Sequence, residues 1–367
     1  MRMIGRWLPL LGLLLSSCTV SRMLVYQFSD IRDYKKFPDR ELLASDAPWT
    51  FVDGDTAAFA RKNIKVIHDN HHYQLTELCN LSKTVAFLVI HKDSLLYERY
   101  FRKYNKTKWV ASFSMAKSYT SALVGCAVAD GAIEDVNDPI TKYIPELKDR
   151  GLDDVTVRHT LQMTTGVKHQ ENYFNPFAGV AKLYYGKHLR KQVHRLRPEF
   201  PAGHSFKYLS VNTQILGEIV ERATGKTLTA YLQEKIWGPI GMEYPASWSI
   251  DQKRKGIEKA FCGINATARD FAKFGRLYLK EGNWQGKQLI PAAWVRESTK
   301  VDAQQGAAWF YQYQWWLPSR EGDYAAQGHL GQFIYVNPEK EMVMVRLGEK
   351  GGGVYWPGIM RQIASNF

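Results

Sequence analysis

Ser112-Phe113-Ser114-Met115-Ala116-Lys117-Ser118 opens the stretch that decides how this chain is read. From Ser114 to Asp130 the residues Met115, Ala116, Tyr119, Ala122, Leu123, Cys126 and Ala127 recur at helical spacing, and Gly131 ends the run. Ser114 and Lys117 stand at i and i+3, on one helix face, so the amine can approach the hydroxyl. A serine hydroxyl is a poor nucleophile until a base takes its proton. A lysine is such a base when burial or neighbouring cations lower its pKa. The helix N-terminus adds a dipole that favours developing negative charge. Taken alone, Ser-x-x-Lys also describes an ordinary helix carrying a solvated lysine.

Upstream, Thr84 to His91 reads T-V-A-F-L-V-I-H, a buried strand. Lys92-Asp93 predicts a turn, and Ser94 to Phe101 a second strand pairing back. Downstream, helices are expected over Val211 to Thr224, closed by Gly225, over Thr267 to Leu279, and over Pro291 to Ser298 with proline at its start. His329 to Val336 and Glu341 to Leu347 read as strands joined by Asn337-Pro338-Glu339-Lys340, and Gly358 to Asn366 as a final helix. Strands come first and last, with helices between. The expected fold is α+β: one antiparallel sheet made from both chain ends, flanked by helices, with an inserted, mostly helical region. The active site should lie in the cleft between the two parts.

Two further segments carry candidate chemistry. In Phe206-Lys207-Tyr208-Leu209-Ser210-Val211-Asn212, Tyr208 sits just before a helix, where a phenol can relay protons or simply pack on the core. In Gly328-His329-Leu330-Gly331-Gln332 the glycines would let a substrate backbone lie close to a strand, His329 could donate to a substrate, and the Gln332 N–H could point into the cleft. A glycine-kinked edge strand is the plainer alternative.

The chain has 367 residues, 45% of them hydrophobic, 13% aromatic and 23% charged. That balance excludes a mainly disordered, collagen-like or polytopic membrane chain. A formal charge of +13 suggests acidic neighbours. The basic stretch Lys187, Arg190, Lys191, Arg195 and Arg197 reads as a solvated face, or as a patch for anionic headgroups or an acidic substrate. Four isolated cysteines, Cys18, Cys79, Cys126 and Cys262, form neither a disulfide scaffold nor a zinc motif. Cys126 reads as a buried small hydrophobe. His68, His71 and His72 read as a solvated turn, and Gly351-Gly352-Gly353 as a flexible loop with no Lys-Ser/Thr after it; no metal or cofactor is expected.

Arg2 and Arg6 form a positive n-region, and Trp7 to Leu15 an apolar stretch too short to span a bilayer. It ends in Leu15-Ser16-Ser17-Cys18, which resembles a bacterial lipobox with Cys18 as the lipidated residue. Thr19 follows and not Asp, which by analogy points to outer-membrane retention. The expected organisation is a signal peptide over 1–18, a tether and N-terminal arm over 19–74, and a catalytic domain over 75–367. Membrane contact is expected through the lipid, and nucleic acid is not an expected partner of an exported lipoprotein.

Ser-x-x-Lys, then Tyr-x-Ser, then His-x-Gly before the last hairpin resembles the serine β-lactamase and penicillin-binding protein superfamily. The chain is most similar to its class C-like esterase branch and to 6-aminohexanoate-dimer hydrolases. Leu123-Val124-Gly125, Leu161-Gln162-Met163-Thr164-Thr165-Gly166 and Ala268-Arg269-Asp270-Phe271-Ala272-Lys273-Phe274-Gly275 extend the match over about 75–367. The resemblance implies a β-lactamase/transpeptidase-like fold and cleavage of a small ester or amide. It implies Ser114 as acylated nucleophile, Lys117 as its base partner, Tyr208 as proton relay, and the N–H groups of Ser114 and Gln332 as oxyanion hole. His329 stands where many relatives have the Lys of K-T-G, and Ser210 where β-lactamases have the Asn of Y-x-N; Asn212 lies two residues later. These departures favour an esterase or linear amidase over a β-lactamase or a D-alanyl-D-alanine-type peptidase, and the intact Ser114, Lys117 and Tyr208 argue against a catalytically silent penicillin-binding lipoprotein. Tyr173, Phe174, Phe177, Tyr311 and Trp315 are candidate pocket walls.

Overall fold

The computed structural model describes residues 22, 26, 29–173, 175 and 177–367, so the expected lipobox with Cys18, and Phe174, lie outside the described residues. Its centre is an eight-stranded sheet. In chain order the strands are β1 (Val52–Asp53), β2 (Thr84–His91), β3 (Ser94–Tyr100), β4 (Tyr311–Gln312), β5 (Trp315–Trp316), β6 (Tyr324–Gly328), β7 (Gln332–Asn337) and β8 (Met342–Gly348). Their spatial order is β4-β5-β6-β7-β8-β2-β3-β1. Both chain ends thus build one sheet, as expected, and β2 and β8 meet at its centre. Every pairing is antiparallel except that of β1 with β3, which makes the sheet mixed at one edge.

β2 is apolar throughout because both of its faces are covered. Leu88 and Ile90 face the larger core, with Phe271 and Phe274 of the helix Ala268–Leu279. Phe87 and Val89 face a second core, with Trp356, Ile359 and Ile363 of the final helix Trp356–Ala364. Lys92 and Asp93 both adopt positive φ (48° and 64°), as a tight hairpin between β2 and β3 requires. Gly275 brings its helix onto the sheet: a Cβ there would meet Val343 at 2.7 Å and Ile334 at 2.8 Å.

The inserted region lies between β3 and β4. Its two long helices, α1 (Ala116–Ala129) and α2 (Ser210–Thr224), pack on each other. α1 is buried on nearly every face, which marks a central helix, not a surface one. A second, four-stranded sheet runs Asp39–Leu42, Ala246–Ser249, Ile264–Ala266, Val110–Ala111 and supports the turn that leads into α1.

Three expectations need correction. Residues 29–74 are not an extended tether: Asp39–Leu42 pairs with Ala246–Ser249, Val52–Asp53 edges the main sheet, Thr56–Arg61 is a helix, and Lys65–His68 pairs with His71–Gln74 in a hairpin. These strands are only two to four residues long, and in Asp39–Leu42 only Leu42 is buried, so no periodicity betrays them. His329 is not in a strand: it begins the turn between β6 and β7, in which Leu330 and Gly331 have φ of 63° and 83°. Trp315 is a core residue against Tyr278 and Phe274 and not a pocket wall. Among the described residues, no helix is long and apolar enough to cross a membrane.

Candidate active site

The approach to Ser114 is a bent turn. Phe113 holds φ of 47°, a conformation that costs a non-glycine residue about 1–3 kcal/mol and persists only where its surroundings impose it. The Ser112 N–H donates to the Ile264 carbonyl at 2.8 Å, and the Phe113 ring is buried, so the turn is fixed at both sides. Ser114 then lies in the 3-10 turn Phe113–Met115 that feeds α1. The neighbouring serines are otherwise engaged: Ser112 Oγ donates to Phe113 O, and Ser118 Oγ to Gln314 O at 2.8 Å.

One turn on, Lys117 is 1% exposed. Its Nζ donates to Ser114 Oγ at 3.2 Å, to Ser210 Oγ at 3.1 Å and to the Phe261 carbonyl at 2.9 Å. Burial lowers its pKa to about 8, against the opposing pull of the Glu171 charge. At pH 7 about a tenth of such a lysine is neutral. Tyr208 neighbours Ser114, whose hydroxyl partly offsets the effect of burial on the phenol, and its ring packs against Tyr311 and Trp316. Burial raises its phenol pKa, so it stays protonated at neutral pH. Lys117 Nζ lies 5.3 Å from the Tyr208 ring centroid. The structure therefore gathers Ser114, Lys117, Tyr208 and Ser210 at one point. Asn212 is elsewhere: Thr165 Oγ1 donates to its amide oxygen at 2.8 Å, deep in the inserted region.

Glu171 is a residue that sequence reasoning missed. Its Oε1 accepts from Ser210 Oγ at 2.5 Å and from Tyr173 Oη at 2.8 Å, and its Oε2 accepts from the Ser210 N–H at 2.9 Å. A chain of hydrogen bonds thus runs from Glu171 through Ser210 to Lys117 and Ser114. Glu171 belongs to a segment with no periodicity and no motif, so no local signal marks it.

The turn of His329 to Gly331 forms the opposite wall. Gly328 is required there: a Cβ would meet the Ser112 carbonyl oxygen at 2.2 Å, so β6 lies directly against the Ser114 turn. This, and not space for a substrate backbone, is the role the structure gives that glycine. Arg346, fully buried, holds the turn from behind. It donates to the Gly331 carbonyl at 2.5 Å, Ser82 O at 2.8 Å, Lys350 O at 2.9 Å and Thr84 Oγ1 at 3.0 Å, and stacks on Trp356. Burial lowers its pKa to about 9. The Gln332 side chain is occupied, donating to Gly348 O at 2.7 Å and accepting from Gly348 N–H at 3.0 Å. Only its backbone remains for an oxyanion role.

His329 sits between rings, 5.6 Å from Phe113 and 5.8 Å from Tyr173, and burial lowers its pKa, which favours the neutral imidazole. The adjoining cleft, about 490 Å³, is lined by Phe113, Tyr173, Tyr184, Tyr185 and Phe261, with Lys350 at its edge. Of the expected walls Tyr173 is present, Phe177 is exposed, and Tyr311 is buried behind Tyr208. Tyr184 is fixed by its hydroxyl donating to Asp33 at 2.5 Å, so the N-terminal arm shapes the cleft.

The Beta-lactamase family model matches residues 81–357. The chain belongs to the Beta-lactamase family. A curated 6-aminohexanoate-dimer hydrolase from Paenarthrobacter ureafaciens is 28% identical over 306 residues, covering 77% of this chain and 74% of the relative. A solved Bacillus anthracis structure bearing the same hydrolase name aligns with a TM-score of 0.79 at 27% identity, covering 92% and 91% of the two chains. A family VIII carboxylesterase shares the fold, with a TM-score of 0.61 at 17% identity over 85% of this chain and 98% of its own. This Beta-lactamase family member is a serine hydrolase related to 6-aminohexanoate-dimer hydrolases.

Proposed function

We propose that this family member cleaves a small ester or linear amide through an acyl-enzyme on Ser114. The observation that carries the reading is Lys117 Nζ at 3.2 Å from Ser114 Oγ, buried, with its pKa brought down to about 8. Neutral Lys117 takes the Ser114 proton as the oxygen attacks the substrate carbonyl. The N–H groups of Ser114 and Gln332 receive the oxyanion, a contribution that is commonly the largest single one in such sites. Tyr208, protonated and beside Ser114, passes a proton to the leaving group. Water then releases the acyl group by the reverse proton path.

The aromatic cleft suits an apolar, extended acyl or leaving group. A neutral His329 supplies no permanent charge for a substrate carboxylate, which weighs against penicillins. One observation favours a carboxylate-ended peptide instead: Lys350 lines the same cleft. Initial rates on short-chain p-nitrophenyl esters, short linear amides, nitrocefin and a D-alanyl-D-alanine peptide separate the readings. Esters and linear amides should turn over fastest. A nitrocefin rate well above the ester rate, or turnover confined to the peptide, would reverse the assignment.

Residues 1–18 support export with lipid on Cys18, placing the enzyme on the cell envelope, on the periplasmic side of the outer membrane.

A further inference from the structure

Away from the aromatic cleft, three segments meet around an open surface cleft of about 450 Å³: the end of the 3-10 helix Pro145–Arg150, the helix Leu189–Val193 with the residues after it, and the loop at 251–257. The two clefts share no lining residue, although one stretch of chain serves both. Tyr184 and Tyr185 line the aromatic cleft, and Arg190, Lys191, His194 and Arg195 line the other.

The charges on this second cleft are one-sided. Its lining holds Arg150, Arg190, Lys191, Arg195 and Lys255 against a single carboxylate, Asp251. Asp251 is turned inward. Its Oδ1 accepts from the Ile257 N–H at 3.0 Å and its Oδ2 from the Leu189 N–H at 2.9 Å, so it pins two walls of the cleft together. Arg190 is engaged by Glu218 at 3.3 Å and Glu221 at 2.9 Å. Arg150, Lys191, Arg195 and Lys255 form no ion pair among the described residues. Lys191, Arg195 and Lys255 are exposed, so their ammonium and guanidinium groups are free to close on a ligand.

Four unopposed cations around one concavity focus positive potential, and guanidinium groups match phosphate oxygens two at a time. The cleft is larger than one phosphate group. We propose that it binds a clustered phosphate, an anion carrying two or more phosphoryl groups, independently of the Ser114 reaction. The ligand chemistry is shared by a soluble polyphosphate and a diphosphoryl lipid headgroup.

The test uses the whole protein and inorganic tripolyphosphate, titrated calorimetrically at low and at physiological ionic strength beside sulfate. The expected result is one site that prefers tripolyphosphate over sulfate and weakens with salt. The double variant Arg195→Ala/Lys255→Ala should bind about tenfold more weakly or worse, since two lost charge contacts at exposed side chains together are worth about that factor. Its melting temperature and ester turnover should match wild type, because neither residue touches the Ser114 cleft. Co-sedimentation with phosphatidylcholine vesicles, with and without cardiolipin, identifies the source. Retention by cardiolipin that tripolyphosphate competes away indicates a lipid headgroup, and tripolyphosphate binding without retention indicates a soluble ligand. Tripolyphosphate binding no tighter than sulfate, or unchanged in the double variant, overturns the proposal.

Discussion

Lys117 has three hydrogen-bond partners, yet burial still holds its pKa near 8 because none of those partners carries charge. The Glu171 charge, which also accepts a hydrogen bond from Ser210, opposes the shift. The sign of the pH dependence follows. In the proposed mechanism the reactive form is the neutral amine, so ester kcat/KM should rise with pH through about 8 and level off above it. Removing the Glu171 charge takes away what stabilises the ammonium, so Glu171→Gln should move that rise to lower pH. An unmoved or upward-shifted profile would refute the Glu171–Ser210–Lys117 coupling. Lys117→Ala and Tyr208→Phe should each cost about 10²–10⁴-fold in kcat/KM with little change in thermal melting. Lys117→Ala should be the worse, since Tyr208→Phe keeps the ring. A properly folded variant with wild-type kcat/KM would remove that residue from the reaction.

At the scale of elements, the nucleophile turn and the β6–β7 turn hold each other in place. Gly328 allows the contact, and Arg346 ties the second turn, by its one bond to the Gly331 carbonyl, to Ser82, Thr84 and Lys350. Arg346→Met would leave the Gly331, Ser82 and Lys350 carbonyls unpaired, each at about 1–3 kcal/mol. It should lower both the melting temperature and kcat, with the kcat loss persisting well below the melting range. A loss of stability with kcat intact would make Arg346 a purely structural residue. Gly125 faces a different constraint: a Cβ there would lie 2.5 Å from the Trp294 ring. Gly125→Ala should destabilise by about 1–3 kcal/mol, read from denaturant unfolding, with activity retained where folded. Much of this scale was legible in the sequence. Apolar T-V-A-F-L-V-I-H could only be a strand covered on both faces, and the α2 helix stops where Gly225 takes φ of 67°. The β6 strand Tyr324–Gly328 was not legible, because Gly, Ala and Gln give it no strand pattern. His329 was placed in a strand because H-L-G-Q reads straight into apolar β7, while the positive φ at Leu330 leaves no sequence mark.

Across the whole molecule, contacts distant in sequence assemble the site, and this is where sequence reasoning ran out. Ser114, Lys117, Tyr208 and Ser210 carry motifs and were found together. Glu171, Arg346 and Asp33 carry none, and they act by closing hydrogen bonds that only the fold brings within reach. The proposed lipidation predicts that the native protein partitions into detergent after processing and that Cys18→Ser stays an uncleaved precursor; a mutant processed and released like wild type would contradict it.

The central claim is that Ser114 is the activated nucleophile. Labelling the purified protein with a fluorophosphonate probe, followed by peptide mass spectrometry, tests it most directly, because the probe is attacked by an activated serine and stays on it. The account predicts one adduct, on Ser114, absent from Ser114→Ala and strongly reduced in Lys117→Ala. An adduct mapping to Ser112, Ser118 or Ser210, or labelling that persists in Ser114→Ala, would contradict it.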